Sequence, residues 1–314
     1  MEKLVSVVIP VFDEAAVLDG FHARLVAVLE RLPHRFEVIY VDDGSGDGSR
    51  AVLRALAARD ARVCVLGLAR NFGHQAALTA GMDHCRGDAV ICMDADLQHP
   101  PETIPALLRS WEQGCDIVYA VRRSTSRQGL AAGVSVGVFY RLFNRLSGRK
   151  IHANAADFRL VSGRVAAVFR ADIRERHRFL RGLVGWVGFT SGTVEYDAAE
   201  RAGGRSKYTL LRRIQFALDG ITSFSLLPLR ASLFVGLVVA AACVLYGVYV
   251  VGLRLFTDRA TSGWASIAAL LAFTNALLLV FIGIIGEYVG RVYEEVKGRP
   301  IYIVAEVLGG GVER

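Results

Sequence analysis

Asp94-Ala95-Asp96 sets two carboxylates one residue apart directly after the apolar run Ala89 to Met93. Hard oxygen ligands of this kind suit Mg²⁺ or Mn²⁺. A cation held by one or two carboxylates and by phosphate oxygens would neutralise the charge that builds on a departing nucleoside diphosphate. Two more acidic groups stand in comparable places: Asp13-Glu14 after the run Val5 to Val11, and Asp42-Asp43-Gly44-Ser45 after Glu37 to Val41. Any one of them is equally well an ordinary turn former or helix cap. Three, in this order along one chain, point to a shared rim matched to a diphosphate and its cation.

A fold has to bring these separate segments together, and the hydrophobic pattern supplies one. Val5 to Val11, Glu37 to Val41, Arg62 to Leu68, Ala89 to Met93 and Asp116 to Ala120 read as strands that are nearly all apolar, as strands covered on both faces are. Between them the amphipathic stretches Ala15 to Leu32, Asp47 to Ala58 and Gln75 to Arg86 read as helices. The expectation is an α/β fold with a parallel sheet between helical layers. Ligands of such sheets bind beyond the carboxyl ends of the strands.

The rest of the chain reads differently. Of the 314 residues 53% are hydrophobic, and no residue is charged from Ala231 to Leu253 or from Ala260 to Gly286. Each stretch exceeds the roughly 20 residues that cross a hydrocarbon core, so a transmembrane hairpin is expected. Arg205, Lys207, Arg212, Arg213 and Arg230 precede it and Arg291, Lys297 and Arg299 follow it, against Arg254, Asp258 and Arg259 in the loop. That bias predicts both flanks in the cytoplasm, with the catalytic part and both termini. Met1 to Ser6 begins no signal-peptide pattern. Leu130 to Leu146 and Tyr208 to Leu227 have apolar faces beside arginines and are expected to lie at the membrane surface. Five cysteines without C-x-x-C spacing fit a reducing compartment, and a net charge of +7 beside two spans is read as membrane affinity, with no nucleic acid partner.

With these features stand the opening Val8-Ile9-Pro10-Val11-Phe12-Asp13-Glu14, Leu68-Ala69-Arg70-Asn71-Phe72-Gly73-His74-Gln75, the D-x-D extended to Leu97-Gln98-His99-Pro100-Pro101-Glu102, Ala156-Asp157-Phe158-Arg159-Leu160 and Arg201-Ala202-Gly203-Gly204-Arg205-Ser206-Lys207-Tyr208. On this set the chain resembles glycosyltransferase family 2, and within it the polyprenyl-phosphate glycosyltransferases, over nearly its whole length. The resemblance implies a GT-A fold, Rossmann-like with a mostly parallel sheet, followed by interfacial amphipathic helices and two transmembrane helices. It implies a nucleotide-sugar donor, UDP-linked in preference to GDP-linked, with Mg²⁺ or Mn²⁺ and an inverting displacement at the anomeric carbon. The acceptor it implies is a polyprenyl phosphate such as undecaprenyl or dolichyl phosphate, and the assembly a homotetramer. The boundaries expected are 1–206 for the cytoplasmic catalytic domain, 207–228 for a juxtamembrane helix, 229–290 for a hairpin with spans near 231–253 and 262–286, and 291–314 for a cytoplasmic tail. The tail run Arg299 to Val304 reads as a strand available to a partner, and Gly309-Gly310-Gly311 as a flexible end.

Carried over by position, Pro10, Phe12, Glu14, Asp42, Asp43 and Arg70 would hold base and ribose, while Asp94, Asp96 and Gln98 would hold metal and diphosphate. Phe12 stands where the family often has Tyr, and His74-Gln75 where Lys-Glu is more usual. An acceptor phosphate is already anionic near neutral pH and needs cations more than a base. Arg122, Arg127, Arg201 and Lys207, with Ser206, are the candidates to receive it. Asp157 matches the position of a catalytic carboxylate, as base or as orienting group, with a plain Asp157–Arg159 ion pair as the competing reading. Two other functions compete: a family 2 transferase acting on another lipid or glycan, and a membrane scaffold whose α/β domain only senses nucleotide. The first is disfavoured for polysaccharide by the absence of a Q-x-x-R-W sequence, and the second predicts indifference to loss of Asp94 or Asp96.

Overall fold

The computed structural model describes residues 2–123, 155–176, 178–197, 227–256 and 263–309. Among these, β1 (Leu4–Val11), β2 (Arg35–Asp42), β3 (Val63–Leu68), β4 (Ala89–Cys92), β5 (Ile117–Arg122), β6 (Ala155–Ser162), β7 (Ser191–Tyr196) and β8 (Val304–Gly309) form one sheet. Its order is β7-β5-β6-β4-β1-β2-β3-β8. The five expected strands are all present, and β1, β2, β3 and β4 pair in parallel. The sheet is mixed, however. β6 runs antiparallel between β4 and β5, and β8 runs antiparallel along β3.

The helices α1 (Ala15–Leu29), α2 (Ser49–Arg59), α3 (His74–His84), α4 (Ile104–Glu112), α5 (Gly163–Ala171) and α6 (Leu180–Trp186) accompany the sheet. Alternation along β1 sorts the core into two faces. Val5, Val7, Ile9 and Val11 join Leu18, Phe21, Leu25 and Leu29 of α1 and Leu53 and Leu56 of α2 in one apolar cluster. Each such Leu or Phe, fully buried, contributes on the order of 2 kcal/mol. Val8 faces the other way, onto α3. Every residue from Ala76 to Met82 is buried, and a Cβ on Gly81 would stand 2.2 Å from Val8 Cγ1. Only glycine lets α3 lie this close to the sheet, which fixes where its first residue, His74, emerges.

The end of the chain corrects one expectation. The segment read as a strand for a partner instead completes the chain's own sheet: Ala69 N–H donates to Ile303 O at 2.9 Å, and β8 follows with Val304 opposite Leu68. Tyr302 Oη donates to Asp83 Oδ2 at 2.7 Å, and Arg54 bridges Glu306 at 2.6 Å. The β3 edge is thereby covered, and β8 becomes the last strand on this side of the sheet. The chain divides into two units, residues 1–220 with 300–314, and residues 221–299.

The second unit contains α7 (Leu227–Phe256) and α8 (Trp264–Val296). Leu229–Gly252 and Ala269–Val296 are long and apolar enough to cross a membrane, and the most apolar window of each has no residue buried by the rest of the chain. Both helices outrun the expected spans, and α8 continues past Gly286 through a Glu287–Arg291 ion pair one turn apart. The amphipathic stretches expected over 130–146 and 208–227 lie outside the described residues, apart from Leu227, which begins α7.

Candidate functional site

The carboxyl ends of β1 and β2 form an interlocked pair of loops. Asp13, with φ 56°, donates its N–H to Ser45 Oγ at 3.1 Å and accepts from Gly46 N–H at 2.8 Å. Glu14 N–H donates to Ser49 Oγ at 2.9 Å. Asp42 is fully buried: Oδ1 accepts from Ser45 N–H at 3.0 Å, and Oδ2 takes Arg50 Nε at 2.9 Å. Asp43, 3% exposed, receives Phe72 N–H at 2.7 Å on one oxygen and Gly73 N–H at 2.9 Å on the other. Burial pushes its pKa up even against those two donors. Gly44 has φ 70° and no room for a side chain, since a Cβ would lie 2.7 Å from Arg70 C and Asn71 N. The loop 70–73 is therefore clamped against 42–44, with Phe12 exposed just after β1 and the Arg70 guanidinium stacked 4.3 Å from the centre of the Phe72 ring.

The D-x-D follows β4 in a different condition. Asp94 N–H donates to His99 Nδ1 at 2.9 Å, so His99 carries its proton on Nε2 and props the backbone of the turn. His99 is buried, stacked 5.0 Å from the Phe158 ring, with Tyr196 edge-on to both. Gln98 N–H donates to Asp96 Oδ1 at 3.1 Å across Leu97, whose φ is 63°. Asp94 Oδ1 is buried with no hydrogen-bond partner. His74 Nε2, 3.6 Å away, is too far for a hydrogen bond, so this oxygen gains from a cation or a further donor. Asp94 and Asp96 thus fit a divalent cation that completes its shell with phosphate oxygens. Among the described residues no cluster of three or more His, Cys, Asp or Glu forms a cage without such a ligand.

Opposite the D-x-D, β6 brings up Asp157. The pairing slips from Tyr119↔Arg159 to Val121↔Ala155, so β6 bulges around Asp157 and re-aims it. The carboxylate is 4% exposed and held from several sides. Arg159 Nη2 donates to Oδ1 at 2.8 Å, and Arg181 Nη2 to Oδ2 at 2.8 Å with Nε 3.2 Å from each oxygen. His74 Nε2 lies 3.5 Å from Asp157 Oδ2 and 3.6 Å from Asp94 Oδ1, joining the two halves of the site. Burial alone would raise the Asp157 pKa, but His74, Arg181 and Arg159 outweigh it and hold the carboxyl well below its ordinary value. The His74 pKa is raised, because the Asp157 contact and the Asp94 charge overcome the desolvation of the ring. Gln75 Oε1 accepts Leu180 N–H at 3.2 Å and ties α6 to α3.

Residues 6–168 match the family model for glycosyl transferase family 2. The chain belongs to glycosyltransferase family 2. It is an enzyme of the transferase class with a GT-A-like mixed sheet. The SfII prophage-derived bactoprenol glucosyl transferase of Shigella flexneri is 40% identical over 300 residues, covering 96% of this chain and 97% of its own. The uncharacterized glycosyltransferase YkcC of Bacillus subtilis is 38% identical over 304 residues, covering 97% and 94%. Among solved structures, glucosyl-3-phosphoglycerate synthase from Mycobacterium tuberculosis with Mn²⁺, UDP-glucose and phosphoglyceric acid is 17% identical, covers 65% of this chain and 73% of its own, and has a TM-score of 0.47. A likeness at that level carries no argument about ligands.

Of the residues expected at the site, Pro10 pairs with Val41 near the end of β1, Phe12, Glu14, Asp42, Asp43 and Arg70 lie at the carboxyl ends of β1, β2 and β3, Asp94, Asp96 and Gln98 lie in the turn after β4, and His74 links Asp94 to Asp157. Arg122 ends β5 opposite Tyr196, whose hydroxyl pKa is pushed up by burial. Arg127, Arg201, Ser206 and Lys207 lie outside the described residues. Arg181 is a site residue that the sequence reading missed. Its only sequence signal is proximity in space to Asp157, 24 residues away, which no local period encodes. The Asp157–Arg159 pair had a readable signal, because residues two apart in a strand share a face.

Proposed function

We propose that the chain transfers a sugar, glucose from UDP-glucose in the first instance, to a polyprenyl phosphate with inversion, giving a polyprenyl monophosphate sugar at the cytoplasmic face of a membrane. The observation that carries this reading is the full-length similarity to proteins named bactoprenol glucosyl transferase, which spans the sheet, the rim and both apolar helices. The chemistry of the rim agrees with it. Asp94 and Asp96 would hold Mg²⁺ or Mn²⁺, which when bound offsets the charge developing on the leaving nucleoside diphosphate. Loop 70–73, clamped by Asp43, keeps Arg70 and Phe72 beside the donor's base, with Phe12 available to stack on it. Arg122 guides the acceptor phosphate, as do Arg127, Arg201, Ser206 and Lys207 in this reading. α7 and α8 anchor the enzyme where its lipid acceptor resides, with both flanks cytoplasmic.

The test is transfer of radiolabel from UDP- and GDP-sugars to undecaprenyl phosphate in detergent, with Mn²⁺ or with EDTA. A metal-dependent, chloroform-soluble product from UDP-glucose is expected. Labelling of another lipid or glycan, with none of undecaprenyl phosphate, would replace the acceptor assignment.

A further inference from the structure

His74 is the first residue of α3, and its place is set from both sides. Ahead of it, Asp43 holds the Phe72 and Gly73 N–H groups; behind it, the close approach of Gly81 to Val8 seats the helix on the sheet. Its Nε2 then stands 3.6 Å from Asp94 Oδ1 and 3.5 Å from Asp157 Oδ2, longer than ordinary hydrogen bonds. The two carboxylates differ in what else they meet. Arg159 and Arg181 donate to Asp157 on both of its oxygens, whereas Asp94 Oδ1 accepts no hydrogen bond. The His74 and Asp94 side chains are 41% and 31% exposed, so neither is sealed from solution.

Two donor atoms bound to one octahedral cation at about 2.1 Å stand about 3 Å apart when adjacent and about 4 Å apart when opposite. The 3.6 Å between Nε2 and Oδ1 falls within that span. A dication on Asp94 therefore meets His74 at close range. An imidazolium there would set like charges within a few ångströms of each other, whereas a neutral ring offers the metal a lone pair. Carboxylate and phosphate oxygens suit both Mg²⁺ and Mn²⁺, and an imidazole among the ligands favours the transition metal.

We propose that His74, through Nε2, is a further ligand of the divalent cation at Asp94 and Asp96, and that it sets a preference of the site for Mn²⁺ over Mg²⁺. The ligand role rests on the placing of that cation in the transfer reading above, and not on the identity of the sugar or the acceptor. It also gives the departure at position 74 a chemical consequence, because a charged lysine has no lone pair to offer a metal.

The experiment reads the Mn²⁺ spin by electron paramagnetic resonance in the full chain in detergent with UDP, in a buffer free of imidazole and amines. The parent is compared with His74→Gln and with His74→Lys. Loss of the free-ion signal gives the Kd of Mn²⁺, competition gives that of Mg²⁺, and pulsed measurement gives the coupling of bound Mn²⁺ to the nuclei of its ligands. The parent is expected to show a directly bonded nitrogen. Both variants should lose that coupling and melt with the parent. Their ratio of Mg²⁺ Kd to Mn²⁺ Kd should fall about 10-fold or more, since losing even the hydrogen-bond partner of a metal ligand costs that much. Bound Mn²⁺ in the parent without nitrogen coupling, or a coupling that persists in both variants, overturns the role of His74 and leaves the cation at Asp94 and Asp96. A parent that binds no Mn²⁺ with UDP removes the cation placement and the ligand role together.

Discussion

Asp42-Asp43 and Asp94/Asp96 start from the same situation, two carboxylates at the carboxyl end of a buried parallel strand, and their surroundings then part them. The oxygens of the first pair face inward, where Ser45, Arg50, Phe72 and Gly73 supply donors. The second pair is half-buried, and Asp94 Oδ1 accepts no hydrogen bond, with the His74 imidazole 3.6 Å away. What differs is the neighbouring loop. After β3 the chain turns back over Asp43 with two N–H groups aimed at it, and Gly44 permits the contact. After β4 the turn sends Asp94 N–H to His99 and Gln98 N–H to Asp96 Oδ1, which leaves Asp94 Oδ1 without a donated hydrogen bond. Position after a strand therefore makes an acidic residue available to the rim, and the donors nearby decide whether it shapes the rim or binds a ligand there.

This contrast is broken most sharply at Asp96. Asp96→Ala should lower transfer by about 10³-fold or more, because a cation at a developing phosphate charge is worth several kcal/mol. Its melting temperature should stay near that of the parent. Full activity at saturating Mn²⁺ would remove the metal assignment. Asp43→Ala should behave in the opposite way, losing stability first. Phe72 and Gly73 N–H would lose their acceptor at partly buried positions, a cost of about 1–3 kcal/mol that appears as a melting temperature lower by several degrees. Nucleotide affinity should fall with it as loop 70–73 loosens. An Asp43→Ala protein that melts with the parent and fails only in transfer would place Asp43 on the ligand and dissolve the distinction.

The same contrast shows what was legible in the sequence. The strands β1 to β5 were readable because apolar runs of that length between amphipathic stretches admit few other folds, and the acidic residues at their ends marked the rim. The direction of bonding was not readable. Nothing in Asp42-Asp43 says that Phe72 and Gly73 will fold over the second carboxylate, since those donors arrive through tertiary packing. β6 escaped notice because its polar members, Asp157 and Arg159, break the apolar run; they are tolerated there by pairing with each other. β8 was recognised as strand-like, but alternation alone does not name the edge it joins. Its place beside β3 depends on Tyr302 reaching Asp83 and on Ile303 meeting Ala69. The departure His74-Gln75 was visible as a pair of residue types, and its consequence, a link from Asp94 to Asp157 and from α3 to α6, only in three dimensions.

A third enclosed carboxylate gives the smallest test and separates shaping from binding by pH. Asp116 precedes β5, at the end of that strand away from Arg122 and the rim, and is ringed by Arg164, Ser162 Oγ and Thr190 Oγ1. Arg164 holds it down to about 2, from an ordinary value of 3.8. A carboxyl whose pKa is depressed on folding adds stability that is complete above the unfolded value and disappears as pH falls through the folded one. The Asp116 contribution should therefore be present at neutral pH and fade between 3.8 and about 2. Its size is modest, because the Arg164 side chain is 65% exposed and water screens the pair. Arg164→Ala should flatten the fall of melting temperature across that acidic window and leave transfer at neutral pH at the parental rate. A change in transfer with an unaltered acid melting profile would mean that this enclosed carboxylate reaches the rim after all, and that enclosure by the chain's own donors does not by itself remove an aspartate from the chemistry.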